Sequence, residues 1–71
     1  MQDYPRKQAT FWEHGQWLCE FWLTDETGRG RVTVFHRGRV RGVMDCDSET
    51  AAADVAKRWK DSLDDGSHKF K

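Results

Sequence analysis

The segment Trp17-Leu18-Cys19-Glu20-Phe21-Trp22-Leu23-Thr24 sets Trp17, Cys19, Phe21 and Leu23 on alternate positions, an unbroken apolar row. The positions between them, Leu18, Glu20, Trp22 and Thr24, are mixed. Successive side chains of a strand point to opposite sides, so this pattern predicts a strand with one face in a core. A strand of this kind needs partners in a sheet and a second layer to cover its apolar face.

Both are available. Arg31–Phe35 and Arg39–Cys46 read as further strands around His36-Arg37-Gly38, with Val32 and Val34 at even positions of one and Val40, Met44 and Cys46 at even positions of the other. A two-residue loop at Arg37-Gly38 sets Val34 on the face of Arg41. A three-residue loop pairs Val34 with Val40 and Val32 with Gly42, so that all apolar even residues face one way. The latter register is the expected one. A first strand over 8–13 with a turn at His14-Gly15 completes an antiparallel meander. Asp25–Gly30 is a loop by composition.

From about Ser48 to Leu63 the period changes. Ala52, Val55, Ala56, Trp59 and Leu63 recur at three and four residues, the stripe of an amphipathic helix. Asp47 or Ser48 can cap it, Glu49 suits the positive end of its dipole, and Gly66 stands where it should stop. The expected fold is therefore α+β, a two-layer β-β-β-β-α arrangement with one C-terminal helix on one sheet face. Residues 1–7 read as a flexible lead-in, 8–65 as a single domain and 66–71 as a flexible tail, although Phe70 could fold back. A chain of 71 residues has room for one core, and at that size only about 60% of the unfolded surface is buried.

Twelve Lys and Arg balance twelve Asp and Glu, so there is no overall attraction to nucleic acid or anionic lipid. The balance is not local: Arg29, Arg31, Arg37, Arg39 and Arg41 fall in a stretch without an acid. No apolar run of about 18 residues could cross a membrane as a helix. The polar start lacks the apolar segment of a secretory signal, which makes a cytoplasmic location the expectation. Cys19 and Cys46 have no metal-ligand or redox spacing and are expected as buried free thiols.

In the expected register the face away from the helix carries Phe11, Leu18, Trp22, Phe35, Arg39 and Arg41 together with Glu20, Arg31, Thr33 and Val43. Trp22 falls beside Thr33, and Phe35 near Glu20 and Arg39. An apolar patch rimmed by polar groups marks an association site, and Trp and Arg are frequent binding anchors. The expected function is a non-enzymatic protein-binding or self-association module, a homodimer being one form, with Trp22 and Phe35 as anchors and Arg39 and Arg41 orienting a partner. Aromatics with arginines on an open sheet also suit single-stranded nucleic acid, the alternative reading. No cofactor or metal site is expected: His14 and His36 fall in turns, His68 in the tail, and Asp45, Asp47 and Glu49 do not follow the calcium-loop pattern. In the expected register Cys19 lies near His36, but no oxyanion site or further base accompanies the pair.

Overall fold

The computed structural model describes residues 4–70. Four antiparallel strands, β1 (Arg6–His14), β2 (Trp17–Leu23), β3 (Gly30–His36) and β4 (Arg39–Cys46), form one sheet in sequential order. A single helix, α1 (Glu49–Asp65), lies across it. This is the expected α+β arrangement. Strand β1 begins at Arg6, two residues earlier than the composition suggested. Residues 1–3 of the expected lead-in and Lys71 of the expected tail lie outside the described residues.

The core forms where the alternation of β2 meets the stripe of α1. Cys19, Phe21, Val32 and Val34 are fully buried, as is Ala52, and Val55, Ala56 and Trp59 are nearly so. Cys19 lies opposite Val34 and Phe21 opposite Val32, so the two inner strands present one continuous apolar surface to the helix. Ser48 caps α1 by accepting a hydrogen bond from the Ala51 N–H at 3.2 Å. At the other end Gly66 takes a left-handed conformation, and its N–H and that of Ser67 reach back to the Leu63 and Ser62 carbonyls. This paired closure satisfies carbonyls that the helix would otherwise leave without donors.

Three registers differ from expectation. The first turn is Gly15-Gln16, with His14 paired to Trp17, not His14-Gly15. Between β2 and β3 the pairing lies two residues along, Trp22 opposite Arg31 and not Thr33. A shift of two preserves the faces, but it sets Cys19 away from His36, which pairs with Trp17 instead. Between β3 and β4 the chain uses a two-residue turn. Arg37 and Gly38 have φ of 54° and 81°, the pair of positive angles that a type I′ hairpin turn requires. His36 then pairs with Arg39 and Phe35 with Val40, and a bulge at Arg41 restores Val34 opposite Gly42 and Val32 opposite Met44. The bulge inserts one residue and so reverses the alternation at that point. Val40 consequently faces away from the core, contrary to the expected pairing with Val34. Strand β1 has two such irregularities, between Lys7 and Ala9 and between Thr10 and Trp12.

The last residues fold back. The Ser62 hydroxyl accepts from the Lys69 N–H and shares a hydrogen bond with Ser67 Oγ at 2.8 Å. Phe70 packs against Trp17 and Trp59, with ring centroids 5.3 and 5.9 Å away. It occupies the space over Gly42, where an added Cβ would overlap Phe70 Cβ.

Candidate functional site

The sheet face opposite α1 has no covering layer. Cross-strand pairing arranges its side chains in three rows. The first runs Glu13, Leu18, Phe35, Val40, the second Thr10, Glu20, Thr33, Val43, and the third Lys7, Trp22, Arg31, Asp45. Because opposed residues project to the same side of a sheet, Leu18, Phe35 and Val40 form an apolar band across three strands, and Val43 extends it. Val40 is 59% exposed and Val43 48%, the two large aliphatic side chains most open to water. Beside them Trp22, Thr33 and Phe35 help to line a shallow open groove of about 390 Å³.

Four of the five charged groups of this face are engaged with one another, and Glu13, beside Leu18, has no ion-pair partner among the described residues. Lys7 Nζ lies 3.0 Å from Glu20 Oε2, and the Trp22 indole N–H donates to Glu20 Oε1 at 3.0 Å. Glu20 is buried and paired with Lys7, and it holds the Trp22 ring. Arg31 Nε meets Asp45 Oδ1 at 2.8 Å. The face therefore presents an apolar band with two closed ion pairs to one side of it and the exposed Glu13 at its β1 end.

Of the side chains expected here, Leu18, Trp22 and Phe35 are brought together. Phe11, Arg39 and Arg41 are not. The bulge between Thr10 and Trp12 turns Phe11 inward, where its ring lies 5.9 Å from that of Phe21, and the neighbouring Trp12 also faces the helix, its indole N–H donating to the Ala56 carbonyl at 2.8 Å. Arg39 pairs with His36, whose ring stacks on Trp17 at 4.2 Å, and the Arg41 guanidinium lies over Trp17 at 5.6 Å. Both arginines thus belong to the helix side of the sheet. The expected face missed Val40 because strict alternation was carried through β4. Val40, Met44 and Cys46 share even parity in the sequence, so nothing in their spacing signalled the bulge at Arg41.

Reactive groups are sparse. Burial, and then the charge of Glu20, push the Cys19 thiol up to about 12, so it stays protonated at any physiological pH and is a poor nucleophile. Burial also raises the Cys46 thiol. Among the described residues no three His, Cys, Asp or Glu side chains converge as a metal site, and no helix is long and apolar enough to cross a membrane. No family model matches the chain, and neither a curated protein nor a solved structure matches it.

Proposed function

We propose that this chain is a small non-enzymatic association module whose helix-free sheet face pairs with the same face of a second copy. The observation that carries the reading is the apolar band Leu18, Phe35, Val40 and Val43, half-buried at Leu18 and Phe35 and open to water at the two valines, beside cations that are already paired. A face whose cations are already paired and whose one unpaired carboxylate, Glu13, lies at its β1 end meets a copy of itself with little repulsion, whereas an acidic or basic partner would gain little from it. Burying the band also adds apolar surface to a core that is small for a free-standing domain.

The geometry bounds the strength. Four strands about 4.8 Å apart and about seven residues long give a face of roughly 450 Å² in projection. Two such faces bury less than the roughly 1,200 Å² at which stable complexes begin, so the pair is a weak one. Molar mass by light scattering should rise from monomer toward dimer between about 10 μM and about 1 mM, with little dependence on salt, as expected of apolar contact at this area. Val43→Glu places a charge in the band on an exposed side chain and should hold the protein monomeric with its helical signal unchanged. A wild-type protein that stays monomeric over the whole range, or a variant that associates as the wild type does, would overturn the reading.

The same face is less suited to single-stranded nucleic acid. The aromatic surface is present, but Arg39 and Arg41 lie on the other side of the sheet, and Lys7 and Arg31 are already paired with carboxylates.

A further inference from the structure

The arginines displaced from that face meet elsewhere. Arg37, Arg39 and Arg41 surround the β3–β4 turn together with His36, and Arg41 also faces His68 and Lys69 of the folded-back C-terminal segment. Two open hollows of about 450 and 460 Å³ result, sharing Arg41, and among the described residues neither is lined by a carboxylate. Of the other cations among the described residues, Lys7, Arg29, Arg31 and Lys60 each have an acidic partner within 4.0 Å, and Arg6, Lys57 and Arg58 do not. Among the described residues Arg37, Arg39, Arg41 and Lys69 have none.

The cluster is held in place without acids. Arg37 Nε donates to Gln16 Oε1, and the Arg41 guanidinium rests over the Trp17 ring. His36 is stacked on that same ring at 4.2 Å with only 20° between the planes, and it lines the hollow beside the three arginines. Lys69 and His68 reach the cluster because Phe70 is seated over Gly42 and Ser62 holds the Lys69 backbone. The site is thus composite, built from a hairpin turn and a docked terminus. Four exposed positive charges gathered with no acidic partner among the described residues make a surface that attracts an anion. Burial and the charges of Arg37, Arg41 and His68 depress the proton affinity of His36, which Arg39 also faces across the strand pair. Nearby anionic charge would reverse that effect.

We propose that the β3–β4 turn and the C-terminal segment form a second binding surface, for the phosphate backbone of a single-stranded nucleic acid. Arginine forks suit phosphate oxygens, and a flat ring supported from beneath offers a stacking surface to an unpaired base, a combination that a duplex or an acidic peptide does not use in full. The surface is separate from the association face, so either can fail without the other.

Fluorescence anisotropy with a labelled oligo(dT) of about a dozen nucleotides tests it. Four contacts, from Arg37, Arg39, Arg41 and Lys69, give a slope of log K against log salt near about −2.8, or about fifty-fold weaker binding between about 50 mM and about 200 mM salt. Arg39 is exposed and makes no ion pair, so Arg39→Gln should leave the fold intact and flatten the slope by about 0.7. The double variant Arg39→Glu with Arg41→Glu should abolish binding while the helical signal and the oligomeric state remain. Binding should tighten as pH falls through the His36 range. Absence of binding at about 50 mM salt, an unchanged slope in the double variant, or equal affinity for a poly-glutamate peptide of the same length would overturn the proposal.

Discussion

Trp12 shows how one side chain can tie the two layers together. It sits on an edge strand, yet its indole N–H donates to the Ala56 carbonyl in the middle of α1 at 2.8 Å. A helical carbonyl has two lone pairs, and this bond uses the one that the helix leaves free. Trp12→Phe retains most of the apolar contact and removes the donor, so the expected loss is about 1 kcal/mol in the free energy of chemical unfolding. A much larger loss would mean that the ring's shape, and not its N–H, joins the layers. Trp12 was not distinguishable in the sequence from Phe11 beside it. Strict alternation sends one of two adjacent aromatics outward, and only a bulge lets both turn inward. The clustering of Phe11 and Trp12 next to polar neighbours carries no information on where such a bulge falls.

Elements were easier to read than their pairing. The period of two in β2 and the three-and-four spacing in α1 fixed the layers, because burying one face is an energetic requirement that composition exposes directly. The cap at Ser48 and the stop at Gly66 were equally legible, since each supplies a hydrogen bond that the helix lacks. The hairpin register was not. Two ways of closing the turn were compared there, both assuming unbroken alternation, and the chain uses a tight I′ turn followed by a bulge. That single residue decides the candidate site, since it sends Arg41 to the helix side and leaves Val40 on the outer face. The docked terminus was legible only as a possibility for Phe70. Its receptor is the bare backbone of Gly42, and the hydroxyl that fastens it belongs to Ser62, a polar residue within the buried stripe. Gly42→Ala would force Phe70 out of its place. Overpacking of this kind costs about 1–3 kcal/mol, and the aromatic signal of Trp17 and Trp59 in near-ultraviolet circular dichroism should fall with it. An unchanged signal would show that the terminus is not held by that contact.

For the molecule as a whole, the concentration of cations at one end has a consequence for stability. The His36 pKa is lowered from 6.5, first by burial and then by Arg37, Arg41 and His68. The folded protein therefore holds this proton less tightly than the unfolded chain. Stability rises with pH wherever the unfolded state binds more protons, so the His36 contribution is full above 6.5, declines as pH falls through that value, and levels off below the folded pKa. Asp25 and Asp65, lowered from 3.8 mainly by the hydroxyl and N–H hydrogen bonds of Thr27 and Ser67, lose their contribution in a separate, more acidic window. Thermal unfolding of dilute protein should therefore show a lower Tm at about pH 5.5 than at about pH 7.5, and His36→Gln should flatten that interval. A slope that survives the substitution would assign the effect to other groups.

The interruptions along the flanks of the sheet reach further than the local registers they disturb. Strand β1 breaks its alternation twice and β4 once, at Arg41, so neither margin offers a long straight ladder on which another strand could grow. One broad side is already occupied by α1. The pairing proposed for the other broad side uses the same patch on both members and so uses it up. Crowded solutions of this protein should therefore stop at pairs and should not seed fibres, however high the concentration.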